Sequence, residues 1–469
     1  MLAFLVIVGA ILFYLYRYYE EQRYYWEKMS IPGPSPEFLF GNLRELWFTG
    51  RARSIVIRDW SKQYGKVYGF HEGQRKVLVV SDFDMLNEIL RFIIQADGDG
   101  PKTHMIEIKH TVENSAITMV DEMERQTTSK AGPVDVLQFY QEYTMDIISK
   151  IALGQKDVKM FSNPYLQACK DTFAGPMNTR VNFLPAIFPF LSGPMYKFIE
   201  LVGKRIGIEF IHLMEDIEEA VKRRKKEREE GSKTSGDFID MFLDAEVDTN
   251  EIEFGEQSET SGKVVVLDEV VSLCMIMLLA GFETTSNSLA YLTHFLANHP
   301  EVQEKMREEI DAVCPDDNVD YDALGDLTYT ECAIKEALRH YPLASFVVCR
   351  TCMKDTEVCG YNIKKGDMIQ TDTWSMHMDK EIWGEDAEEF RPERWLEDSD
   401  RARVAFQAFG EGPRMCIGMR LAYIEEKIAI AHVLKRFEIV KNEQTNPLEL
   451  AGPFTTAPER VMVTLKLRR

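Results

Sequence analysis

The 469-residue chain has no positive balance of charge. Its 55 lysines and arginines face 76 aspartates and glutamates, a formal net charge of −21. Nucleic acids are held through lysine and arginine on their phosphates, so this deficit argues against a nucleic acid partner. The one basic run, Val221-Lys-Arg-Arg-Lys-Lys-Glu-Arg-Glu-Glu230, reads as a solvated helix end. A disulfide framework is missing too: the eight cysteines are scattered, which fits a reducing compartment. Cys349 and Cys352 form a C-x-x-C without a second pair at metal-binding spacing, and a lone pair reads as structural. There is no internal repeat, and no tryptophan between Trp60 and Trp374. At 45% hydrophobic residues the chain has ample material for a large core. Its length admits one large domain or two or three average ones.

Charge is also absent from residues 1–16. The run falls slightly short of the roughly 20 residues a bilayer needs. Tyr16, Tyr18, Tyr19 and Trp26 can extend it as an interfacial belt, and Arg17, Arg23 and Lys28 put its C-terminal side in the cytosol by the positive-inside rule. Without a basic n-region or an A-x-A site, a retained transmembrane anchor is favoured over a cleaved signal peptide. Ile31-Pro-Gly-Pro-Ser-Pro36 follows as a stiff extended break. The expected division is an anchor and linker over 1–29 and a globular body over 30–469.

Within the body, Lys66–Phe70 and Lys76–Val80 alternate as strands about a turn at Glu72-Gly73-Gln74. Asp82–Arg91 reads as a short helix and Val134–Gly154 as an amphipathic one. Residues 160–246 read as helical around the interruption Phe183-Leu-Pro-Ala-Ile-Phe-Pro-Phe-Leu191, which is either core or a membrane-dipping lip. Val264–Asn298 is a long helical run, Tyr329–Tyr341 a shorter one, and Val347–Arg350 and Tyr361–Ile369 are strand-like. In the long run, Leu279-Ala-Gly-Phe-Glu-Thr-Thr-Ser286 puts threonines after a glycine, poor choices for a helix interior. A locally opened helix is expected there, the glycine letting something large press on the backbone.

Phe409-Gly-Glu-Gly-Pro-Arg-Met-Cys-Ile-Gly418 sets one cysteine on a glycine-rich loop that runs into a helix with apolar residues at Leu421, Ile424, Ile428, Ala431 and Leu434. Backbone N–H groups and the positive end of the helix favour an anion. Cys416 is therefore expected as a thiolate and a metal ligand.

Phe409, Gly412, Arg414, Cys416 and Gly418 match Phe-x-x-Gly-x-Arg-x-Cys-x-Gly, so the chain resembles the cytochrome P-450 haem-thiolate family, nearest its microsomal drug-metabolising branch. The resemblance implies a mainly α fold with small β-sheets behind one N-terminal transmembrane helix. It implies haem b with Cys416 as the axial thiolate, pushing electron density towards the iron. Arg414 and Arg350 would pair with haem propionates, and Phe409, Gly410, Gly418 and Ala280 would border the cofactor. Ala280, Gly281, Glu283, Thr284 and Thr285 match the family's Ala/Gly-Gly-x-Asp/Glu-Thr-Thr/Ser. By resemblance Thr284 hydrogen-bonds dioxygen and Glu283 belongs to the proton-delivery path, since O–O cleavage needs protons brought into a dry pocket. Glu336-Ala-Leu-Arg339 matches Glu-x-x-Arg, with Arg394 of Phe390-Arg-Pro-Glu-Arg-Trp395 completing a structural triad. Residues 343–348 would line the substrate pocket, and His377 needs no metal reading.

The family's Trp-x-x-x-Arg helix and Ser-Pro-x-Phe element are absent, so the region about 90–120 is shortened. The activity implied is a monooxygenase in the endoplasmic reticulum membrane, its catalytic domain facing the cytosol. It would act on a lipophilic small molecule with electrons from an NADPH-dependent reductase, cytochrome b5 being a further candidate partner. Two alternatives stay open: a haem-thiolate isomerase or dehydratase, against which the Glu283–Thr284 pair argues, and a non-catalytic pseudoenzyme or truncated gene product lacking part of the haem pocket.

Overall fold

Helix α1 runs over Leu2–Arg23 in a computed structural model that describes residues 2–91, 105–129, 132–155, 158–174, 183–203, 209–231, 237–244, 267–316, 318–319, 321–344, 348–397, 399–452 and 455–468. The helix is where the sequence puts it, but the expected transmembrane span needs correction. Among the described residues no helix is long and apolar enough to cross a membrane. The uncharged run stops at Tyr16, and Arg17, Glu20, Glu21 and Arg23 occupy the rest of the helix.

Helix α2 (Arg53–Tyr64) leads into strands β1 (Val67–Glu72) and β2 (Arg75–Val80), an antiparallel hairpin. Its turn needs Gly73: the residue has φ +62°, and a Cβ there would lie 2.1 Å from the Ala186 carbonyl oxygen. After the short helix α3 (Phe83–Arg91), the shortened region falls partly on residues 92–104, outside the described residues. Helix α4 (Met105–Ser129) follows.

Helix α5 (Val136–Leu153) starts where the Asp135 side chain accepts from the Leu137 N–H and ends at Gly154 in the left-handed region. Such caps satisfy backbone groups that the helix leaves orphaned. Helices α6 (Glu209–Glu229) and α7 (Phe238–Asp244) pair through charge: Arg224 bonds Asp237 at 2.6 Å and Asp240 at 3.0 Å, and Arg228 bonds Asp244. The basic run is therefore only partly a solvated helix end, because two of its arginines clamp α7.

Helix α8 (Leu267–Asn298) is the axis of the core. From Thr285 to Ala297 every residue is buried, the pattern of a helix surrounded by protein. It packs on α5, on α9 (Thr328–His340) and on α10 (Met419–Arg436). The main core joins Tyr140, Tyr143, Leu289, Leu292, Ile428 and Leu434, while a second cluster joins Met145, Ile148, Leu213, Leu278 and Phe282. Strands β3 (Cys349–Thr351) and β4 (Met368–Thr371) complete a four-stranded sheet of order β1-β2-β4-β3, with β4 parallel to β2 and antiparallel to β3. Near the C-terminus β5 (Leu450–Ala451) and β6 (Ala457–Pro458) pair as a small hairpin. The architecture is mainly helical with small sheets.

The apolar segment 183–191 divides between the two expectations held for it. Ala186 and Ile187 are buried beside Leu43, and Phe183 stacks on Phe40. Phe188 meets Tyr19 of α1 edge-on, while Leu184 and Phe190 stay exposed.

Candidate haem and proton-delivery site

The cysteine turn is built by its own main chain. Gly410 (φ +71°) and Gly412 (φ +75°) take left-handed conformations that a side chain would strain. The Cys416 N–H then closes back on the Phe409 carbonyl at 2.8 Å, and the Met415 N–H on that of Gly412 at 2.9 Å. The Phe409 ring packs against Tyr423 of α10, and Gly418 caps that helix. Cys416 is exposed, as are Arg414, Met415 and Ile417. Burial of its sulfur raises the Cys416 thiol above its ordinary value, while the N–H groups of Gly418 and Met419 act to lower it. The glycine turn and helix start thus do not alone make the thiolate expected from sequence.

A strut fixes the turn to the rest of the protein. His377 is fully buried, and burial together with the Arg339 charge pushes it down to about 3, so its ring is neutral. Nε2 accepts the Gln407 N–H at 2.9 Å, and Nδ1–H donates to the Arg339 carbonyl at 3.1 Å. These partners assign the tautomer and leave no nitrogen for a metal.

Behind the strut lie Glu336, Arg339 and Arg394. Arg339 grips Glu336 with two bonds of 2.9 Å, and Arg394 Nε reaches Glu336 Oε1 at 2.8 Å. Glu336 and Arg339 have no exposed side-chain surface. Trp395 Nε1 donates to Glu336 Oε2 at 2.9 Å and the Arg391 N–H to Oε1 at 3.1 Å, so the carboxylate has partners beyond the expected arginines. Burial alone would raise the Glu336 carboxyl. Hydrogen bonds from His340 and Arg339 and the charges of Arg339 and Arg394 hold it well below the usual range.

On α8 the expected opening is not found: the helix is unbroken from Leu267 to Asn298. The Thr284 hydroxyl donates to the Ala280 carbonyl at 2.8 Å, satisfying itself without breaking the ladder. What presses on Gly281 is protein, since a Cβ there would lie 2.6 Å from Ile148 Cδ1 of α5. Ser272, Ile276 and Ala280, spaced by four, stay exposed along the helix. Glu283 is half-buried, and its Oε2 accepts the Thr455 hydroxyl at 2.7 Å. Burial pushes Glu283 up to about 7, with the Thr455 bond acting in the opposite sense. Nothing in the sequence pairs positions 172 apart, so this contact had no signal.

These residues fit a haem. Arg350 on β3 has a buried Nε without a hydrogen-bond partner among the described residues, and its Nη1 reaches only the neighbouring Cys349 carbonyl. A buried orphan of this kind calls for an acceptor. The exposed stripe on α8 and the exposed cysteine turn offer apolar surface and a sulfur donor.

The family model described as Cytochrome P450 matches residues 91–465. Two Caenorhabditis elegans proteins, named "Putative cytochrome P450 CYP13A10" and "Putative cytochrome P450 CYP13A3", are 37% and 36% identical to this chain. The alignments cover 99% and 100% of this chain and 98% of each relative. They run over 518 and 523 positions against 469 residues here, so the relatives carry several dozen positions without a counterpart in this chain.

Proposed function

The chain belongs to the cytochrome P450 family, whose members bind haem b through a cysteine thiolate, and on that premise we propose that it inserts one atom of dioxygen into a lipophilic small molecule with electrons from an NADPH-dependent reductase. That it is a monooxygenase, an oxidoreductase, follows from the family. The observation that carries the assignment of residues is the cysteine turn: an exposed thiol held by Phe409, two left-handed glycines and a helix start.

Haem b, when bound, supplies the dioxygen-activating chemistry. Cys416 would ligate its iron, and Arg350 and Arg414 would hold its propionates. Ala280, Phe409, Gly410 and Gly418 would border it. Thr284 offers a hydroxyl already tied to the Ala280 carbonyl, which orients it. Glu283, near neutrality, is poised both to take a proton and to give one at working pH. Membrane association at the endoplasmic reticulum, with the body in the cytosol, is supported by the uncharged run and the arginines that follow it.

The reduced, CO-bound absorption spectrum tests this reading. Wild type is expected to give the red-shifted thiolate band and C416S to lose it. A second reading, a product lacking haem-pocket wall near residues 90–120, is supported by the missing Trp-x-x-x-Arg and Ser-Pro-x-Phe elements. Stable protein without any haem spectrum would support that second reading and overturn the first.

A further inference from the structure

Glu283 has one side-chain hydrogen bond among the described residues, and it comes from outside the helix that carries it. The donor, Thr455, is buried and lies on the loop between β5 and β6. The described part of that loop is fixed independently of Glu283. Gly452, at φ +99°, makes its turn, and a Cβ there would meet the Thr455 carbonyl oxygen at 2.3 Å. The next residue, Thr456, is tied on three sides. Its N–H donates to the Leu343 carbonyl at 2.8 Å, its carbonyl accepts the Tyr291 hydroxyl at 2.9 Å, and its hydroxyl meets that of Ser54 at 2.6 Å. Tyr291 lies two turns after Glu283 on α8, so one short loop is stitched to that helix at two points.

We propose that Thr455 is a positioning residue for Glu283: from the β5–β6 loop its hydroxyl orients the carboxylate and favours the ionised form over the neutral acid. This deepens, and rests on, the monooxygenase reading in which Glu283 handles protons. A hydroxyl can donate to a carboxylate and so favours the charged form over the neutral acid. The titratable groups facing Glu283 are weak competitors. Cys169, on the helix Tyr165–Ala174, and Tyr291 are both held protonated by burial, and both feel the Glu283 charge. No cation among the described residues pairs with Glu283, so the neutral donor is the partner that can tune it.

The test is a pH titration of the Glu283 carboxyl by infrared difference spectroscopy on the full chain, with E283Q assigning the band. T455V, which keeps shape but not the hydroxyl, is expected to shift the titration upward by about one unit, the scale of one hydrogen bond to a charge. T455S is expected to restore it, and the pH profile of turnover should move with the same sign. A T455V titration superimposable on wild type, or a T455S shift as large as that of T455V, would overturn the proposal. The CO spectrum keeps the two readings apart. Haem bound with an unmoved titration sinks the positioning role alone. A moved titration in protein that never loads haem keeps the hydrogen bond and sinks the monooxygenase reading.

Discussion

Glu336 makes more bonds than any other carboxylate described above, and it is wholly buried. A buried ion is costly to strip of water and is stable only while its partners remain. E336A would leave the buried Arg339 guanidinium without its counter-charge and Arg394 with Asp386 alone, at 3.4 Å. It is expected to destabilise the fold by about 3–5 kcal/mol, measured by urea unfolding with E336Q beside it. The pH dependence has a definite sign. The folded carboxyl lies below its ordinary value of 4.5, so its stabilisation is complete above that value and drains away as pH falls below it. The gap between wild type and E336Q should therefore narrow in acid. A gap constant from neutral pH to pH 3 would show that the charge is not what matters.

At the scale of the element, α8 decides most. Gly281 sits where two helices touch, with Ile148 Cδ1 and Cγ1 at 2.6 and 2.9 Å from a would-be Cβ. Alanine would gain about 0.5–1 kcal/mol of helix preference but overpack the crossing by about 1–3 kcal/mol. Overpacking should win, so G281A is expected to be less stable than wild type by about 1 kcal/mol. In a double-mutant cycle with I148A, which removes both offending carbons, part of the loss should be recovered. Strictly additive losses would mean that the two helices do not meet there as described. This crossing also marks the limit of what sequence could give. The hairpin about Gly73, the helices Val136–Leu153 and Thr328–His340, and the long helix Leu267–Asn298 were legible within a few residues, because period, caps and prolines are local signals. The cysteine turn was legible for the same reason. The cause of Gly281 was not, since glycine in a helix reads alike whether a ligand or another helix lies against it. The hold of Thr455 on Glu283 and the part of Trp395 in the Glu336 cluster depend on side chains that only the tertiary fold brings together.

On the scale of the whole molecule, large apolar side chains stand exposed on the segment 189–203. Phe190 is 73% exposed and Leu201 76% exposed, and the segment carrying Phe190 touches α1 through Phe188 and Tyr19. Exposed apolar side chains of this kind mark a membrane or protein contact, and the membrane association proposed above makes the membrane the contact to test. Each large side chain buried in lipid contributes on the order of 1.5–3 kcal/mol at full burial. F190S/L201S is therefore expected to lower the membrane-bound fraction in vesicle sedimentation several-fold with the helical spectrum unchanged. An unaltered partition would show that these side chains do not make the contact.

The His377 strut has a bearing on the order in which this protein comes together. The start of the cysteine turn hangs, through Gln407, on a histidine 30 residues earlier, which hangs in turn on a carbonyl 38 residues before that. Neither link is local, so the turn, whose shape its own main chain supplies, is fixed in place only when these distant segments meet. The landing place for the cofactor is thus a product of late assembly. A chain that has collapsed but not yet seated this imidazole would present the thiol without the frame that aims it.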